Sequence, residues 1–239
     1  MFDIVGTVFA TTLYAILVGV LIGLSPARAA TKLAAFAAAG VWFAIVVATA
    51  AAIDLWAIQG GPVPVNLLPF VVLVALLFGA WWLLPQFRDA LLSLPLSVLV
   101  ALNIGRVIGI FFVLLYAQGR LSAPFAPSAG WGDVITGLLA IPLALSMRTR
   151  AGRATTPLAL WNAFGTLDLI AAISLGILSA PGTPLRVFTE GPGTAAMAQL
   201  PWMMIPTMLV PIYLLIHLTI AAKLRARRPA LTAAGAAAS

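Results

Sequence analysis

Long apolar runs, broken by short polar or Pro/Gly-rich segments, set the pattern of this chain. A bilayer core about 30 Å thick takes about 20 helical residues. Seven stretches reach that length, near residues 4–24, 33–57, 66–84, 96–117, 130–147, 158–180 and 201–222. Segments such as 70–77 and 104–115 are apolar on nearly every side, unlike the alternating strands of a membrane barrel. In lipid the backbone must satisfy its own polar groups, so these runs predict helices. The expected fold is all-α: one polytopic bundle of seven transmembrane helices over residues 1–222, followed by a basic and then Ala-rich tail, 223–239, expected to be disordered and cytoplasmic.

The few charges orient the bundle. With the N-terminus outside, Arg28, Lys32, Arg88, Arg148, Arg150, Arg153, Lys223, Arg225, Arg227 and Arg228 fall inside, Arg120 and Arg186 outside, and Arg106 within a helix. Short loops rich in Lys and Arg stay cytoplasmic. Trp56, Trp131 and Trp202 then mark outer helix ends and Trp81, Trp82 and Trp161 inner ones, at headgroup level, while Trp42 lies deep. The Ala27-Arg28-Ala29 tripeptide imitates a signal-peptidase site, but its positive charge follows the apolar run instead of preceding it, so the first span is kept.

Composition narrows the chemistry. Apolar residues make up 63% of the chain and charged residues 8%, too little polar surface for a soluble domain. With no cysteine and one histidine, no disulfide, iron–sulfur cluster, bis-imidazole haem or metal cluster is expected. The formal net charge of +7 is a cytoplasmic rim meeting anionic headgroups of the lipid bilayer. No nucleic acid partner is implied.

Small residues four apart let helices approach closely in lipid. Gly19 and Gly23 form such a pair in the first span and Gly105 and Gly109 in the fourth, with packing inside the chain as the main expectation and a protein partner or homo-oligomer as the other. Pro69, Pro142, Pro206 and Pro211 permit kinks, and two in the last span make Pro206 and Pro211 hinge candidates. The outer connections 118–129 and 181–200 are long, and the first is expected to be a surface loop.

Ionisable groups deep in a membrane are costly unless paired. Arg106 and Asp168 both fall about ten residues into outward-running spans, so an ion pair between them is predicted. Asn103 lies one turn from Arg106, and Asn162 and His217 share a depth nearer the inner side. Asp133 is expected at the outer start of the fifth helix, where the positive helix end favours a carboxylate; with Asn103, Asn162 and His217 it joins Arg106 and Asp168 as a candidate for substrate binding or ion pairing. Two readings of Arg106 with Asp168 stay open: a structural pair locking two helices, or a site holding an anionic group.

Retinal would need a lysine amine within the last span, but Lys32 and Lys223 sit at cytoplasmic ends. Gly130-Trp131-Gly132-Asp133 resembles the GxGD motif of intramembrane aspartyl proteases and Pro229-Ala230-Leu231 their PAL motif, yet the implied aspartates fall at different depths. Pro85-Gln86 resembles half of a PQ-loop, but follows the wrong helix and has no second copy.

Arg106, Gly119, the run 129–133, Trp161-Asn162, Asp168, Pro201, Pro206 and His217 resemble a group of uncharacterised bacterial multi-pass membrane proteins. The resemblance covers about half the chain and implies a bacterial cytoplasmic (inner) membrane location, with no activity attached. The sequence therefore favours a small intramembrane polar site that binds or moves protons or a small solute, anions included. A non-enzymatic scaffold or accessory subunit is the alternative, and an aspartyl protease or lipid-acting enzyme the third reading.

Overall fold

The structure, a computed structural model, describes the backbone of residues 1–56, 64–147 and 155–236 and the side chains of residues 1–53, 64–147 and 156–226. The side chains of Asp54, Trp56, Arg227 and Arg228, and the segment with Arg148, Arg150 and Arg153, lie outside the described residues.

The described elements are helices: α1 (Phe2–Gly23), α2 (Ala29–Trp56), α3 (Leu67–Leu83), α4 (Pro85–Ser93), α5 (Leu96–Leu102), α6 (Ile110–Ala117), α7 (Phe125–Ser146), α8 (Thr155–Leu178) and α9 (Val210–Ala236). Six continuous helical stretches are long and apolar enough to cross a membrane, and α3 with α4 makes a seventh if that bent pair counts as one. The chain is a multi-pass membrane protein.

Three boundaries differ from the sequence expectation. The third span ends in a 94° bend into α4. Leu84, the residue before proline, is extended (φ −116°, ψ 94°), and Pro85 opens α4 where its missing N–H costs nothing. The Lys223 ammonium bonds the Leu92 carbonyl near the end of α4, a favourable place for a cation. The fifth helix starts at Phe125, not Gly130, because Pro124 precedes it and Pro127 falls in its first turn, where proline is tolerated. The last helix starts at Ile205, with Pro206 inside a π-helical turn, Ile205–Leu209, and Pro211 in the first turn of α9; it runs to Ala236 instead of stopping at Ala222.

Between α5 and α6 the fourth span narrows into a 3-10 segment, Asn103–Gly109. Its two glycines hold their neighbours close. A Cβ on Gly105 would lie 2.3 Å from Leu13 Cδ1 and 2.6 Å from the Tyr213 hydroxyl, and one on Gly109 would lie 2.4 Å from Asp133 Cβ. Gly19 and Gly23 behave differently, since a Cβ at either would meet nothing within 4 Å. Among the described residues nothing packs on their face, and the intramolecular packing expected of them is not found there. Replacing Gly19 or Gly23 by leucine is accordingly expected to leave the thermal stability of the detergent-solubilised monomer unchanged within about 0.5 kcal/mol. A large loss would mean that this face is occupied.

The core runs along the fourth and last spans. Within their most apolar stretches 56% and 72% of residues are buried, against 22% and 11% for α1 and α2, which form the periphery. Three tryptophans assigned from sequence to headgroups, Trp81, Trp161 and Trp202, are buried instead, while Trp82 and Trp131 are exposed. For Trp161 and Trp202 the indole N–H finds an acceptor inside the protein, as a buried donor requires. Trp161 donates to the Thr136 carbonyl (3.0 Å) and Trp202 to Asp3 (2.7 Å), and the deep Trp42 donates to the Thr207 carbonyl (3.1 Å). Asp3 also accepts from Arg120 (2.8 Å), tying the start of α1 to the end of the fourth span. The two long connections meet where Ser122 N–H donates to the Gly193 carbonyl (3.0 Å) and Gly193 N–H to Ser122 Oγ (3.0 Å).

Candidate functional site

Arg106 leaves the 3-10 segment toward α7, α8 and α9 and is 1% exposed. Its Nε donates to Asp133 Oδ1 (2.6 Å) and its Nη2 to Asp168 Oδ2 (2.5 Å). Nη1 lies 3.0 Å from both the Gly165 carbonyl and His217 Nε2. Guanidinium has five N–H donors and no acceptor, so four of them are committed here.

That logic fixes the histidine. Arg106 can only donate, so His217 Nε2 accepts and the neutral ring carries its proton on Nδ1. Nδ1–H then donates to Asn162 Oδ1 at 2.8 Å, and the Asn162 amide returns a bond to the His217 carbonyl (3.2 Å). Trp161 packs on the imidazole with ring centroids 5.5 Å apart, and the Tyr213 ring lies 5.9 Å from the Arg106 guanidinium carbon.

Glycines admit this crowd. A Cβ on Gly132 would stand 1.7 Å from Asp168 Oδ1, and one on Gly165 would stand 2.6 Å from His217 Cε1. Hence α7 and α8 touch closely enough for carboxylates from both to reach one guanidinium. Gly137 does the same for α7 against the 3-10 segment, since its Cβ would lie 2.9 Å from Val107 N.

The structure thus brings together Arg106, Asp168, Asp133, His217 and Asn162. Asp133 corrects the sequence reading. Because α7 begins at Phe125, this residue sits within the helix rather than at its N-terminal turn, and it serves as a second carboxylate on Arg106. Asn103 is not bonded to the cluster: its amide donates to the Leu99 carbonyl (3.0 Å), and its buried Oδ1 has no partner among the described residues. Gly132, Gly165, Thr136 and Tyr213 were missed. The glycines had a usable signal, since Gly165 lies three residues before Asp168 and Gly132 immediately precedes Asp133 within otherwise apolar runs. No group of three His, Asp or Glu side chains is arranged to hold a metal among the described residues, and the guanidinium fills the centre of this one.

Two cavities reach the network. One, of about 80 Å³, is lined by Asp133 together with Leu169, Ile173 and Ile177 from the C-terminal half of α8. The other, of about 420 Å³, is an open groove on the surface of the bundle, lined by Asn162 with Ala159 and Ala163 from the N-terminal half of α8 and by Arg225 of α9. The bonded series Asp133, Arg106, His217, Asn162 therefore extends between cavities in opposite halves of the bundle.

A family model described as Domain of unknown function (DUF8737) matches residues 62–225, which takes in every member of this cluster and leaves out α1 and α2. No curated protein and no solved structure matches the chain.

Proposed function

We propose that this chain, which belongs to the DUF8737 family, is a proton-linked membrane transporter whose working group is the Arg106–Asp133–Asp168–His217 cluster. The observation that carries the reading is one buried guanidinium shared by two carboxylates and a neutral imidazole, with a small cavity beside Asp133 and an open surface groove beside Asn162. With both aspartates ionised the cluster holds one positive and two negative charges; one added proton balances it. In a low-dielectric interior that difference matters.

The geometry also sets a direction for the chemistry. Arginine does not give up its proton, so Arg106 separates the carboxylates from His217 Nε2 rather than relaying between them. A proton arriving on Asp133 or Asp168 replaces a negative charge that holds Arg106, and a guanidinium that shifts exposes the Nε2 lone pair. Nδ1–H on the far side of the ring faces Asn162 and the second cavity. Anion binding, the expectation from an isolated Arg–Asp pair, is disfavoured because Arg106 already serves two carboxylates. The distribution of Lys and Arg supports an N-terminus outside and a C-terminus in the cytoplasm of a bacterial inner membrane.

One observation favours a second reading, a structural scaffold: Arg106 is sealed, with its donors largely satisfied. Full-length protein in liposomes with an entrapped pH dye and an imposed potassium diffusion potential separates the two. Proton flux above that of empty liposomes is expected, falling at least about tenfold in Asp168→Asn and in His217→Phe. Flux equal to empty liposomes, or unaffected by both substitutions, leaves the scaffold.

A further inference from the structure

The cavity beside Asp133 has walls that specify its contents. Most are apolar, and they include Phe70, Phe112 and Phe125, the last two with ring centroids 5.6 Å apart. Two other polar side chains contribute, but their donors are committed inside the protein: the Asn66 amide to the Met197 carbonyl (3.1 Å) and Thr194 Oγ1 to the Gly176 carbonyl (3.1 Å). Asp133 is different. Its bond to Arg106 uses Oδ1, and among the described residues nothing donates to Oδ2.

We infer that this cavity binds a small primary amine in its cationic form, with the ammonium on Asp133 Oδ2 and a short apolar body against the phenylalanines. This deepens the transporter reading and rests on it, since it names a solute for the same cluster. Three features select the chemistry. The cluster has one more carboxylate than guanidinium, so a cation completes its charge and an anion is repelled. Aromatic rings attract an ammonium that has left water. Asp133 is the one charged group among the described residues of an otherwise mostly apolar wall, which suits a molecule with one cationic end and disfavours polyols and zwitterions, whose further polar groups would be buried with few partners. The volume of about 80 Å³ is at least five times the roughly 10–15 Å³ of such space that one water occupies, room for about five non-hydrogen atoms. An amine and a proton compensate the same charge, so each displaces the other.

n-Butylammonium is a suitable probe, with n-butanol and butyrate as its neutral and anionic counterparts. Calorimetric titration of the full-length protein in detergent is expected to show saturable binding of n-butylammonium, at least about tenfold weaker binding of n-butanol, and no binding of butyrate. Asp133→Asn should weaken n-butylammonium at least about tenfold. Ile173→Trp fills the cavity from its wall and leaves the charges untouched; it should abolish binding while the protein keeps its unfolding transition, so the test does not depend on Asp133→Asn folding. Absent saturable binding, binding retained in Ile173→Trp, or equal affinity for n-butanol overturns the inference. Titration at equilibrium needs no gradient: proton flux without amine binding defeats this inference alone, whereas amine binding without flux defeats the transporter reading and leaves the site.

Discussion

Arg106→Leu is expected to cost the folded protein about 3–5 kcal/mol, the usual consequence of removing one member of a buried ion pair. The loss comes from what remains. Asp133 and Asp168 would face each other without their shared cation, and the Gly165 carbonyl and His217 Nε2 would lose a donor. Arg106→Lys should recover part of the loss, because an ammonium restores the charge but lacks the planar fork that reaches four acceptors in different directions. The triple variant Arg106→Leu, Asp133→Asn, Asp168→Asn removes all three charges and should be more stable than Arg106→Leu alone. Unfolding in mixed micelles measures each difference. If Arg106→Leu unfolded with the wild type, the cluster would have no part in holding α7 and α8 to the fourth span.

Gly132→Ala should be the next most damaging small change. The added methyl would stand 1.7 Å from Asp168 Oδ1 and 2.4 Å from its Cγ, so the carboxylate must leave or the helices must separate. Overpacking of this kind costs about 1–3 kcal/mol, and loss of a hydrogen bond to a charged group adds about 1.5–3 kcal/mol. Gly40→Ala, at a helix position where a Cβ meets nothing within 4 Å, is the control and should be neutral or slightly stabilising. In an Asp168→Ala background the Gly132→Ala penalty should largely disappear, since the two residues collide directly and their effects cannot add. Additive losses in that double variant would mean that Gly132 is needed for something other than the space Asp168 occupies.

These two residues also show how far the sequence could be read. Arg106 and Asp168 were legible because charge in an apolar run must be paired, and counting from the span ends puts both at one depth. Asp133 was legible as a candidate but its depth beside Arg106 was not, because Pro124 and Pro127 suggested a loop where they open a helix. The shift of the start from Gly130 to Phe125 carried the carboxylate from a helix end to the guanidinium. Gly19 and Gly23 carried the same spacing as Gly105 and Gly109, but spacing states only that close approach is possible, and the neighbour that makes it real belongs to the tertiary fold. The tryptophans failed for a related reason, since an indole finds its acceptor equally well at a membrane surface or at a carbonyl inside the bundle. Six of the seven apolar stretches form spans outright; the third, 66–84, is nearly all α3, too short to count alone, and the bend at Leu84–Pro85 adds α4 in the segment expected to be a connection.

The 3-10 segment beneath Arg106 gives the fourth span a screw-like mechanics. A 3-10 helix winds about 120° per residue and rises about 2.0 Å, against about 100° and 1.5 Å for an α-helix. Rewinding Asn103–Gly109 into α-helix would rotate Arg106 by about 60° relative to Asn103 and shorten the span by about 3.5 Å. A turn of that size would carry the guanidinium away from its present partners and move the ends of the span along its axis, so that the winding of this segment and the bonding of Arg106 are geometrically tied.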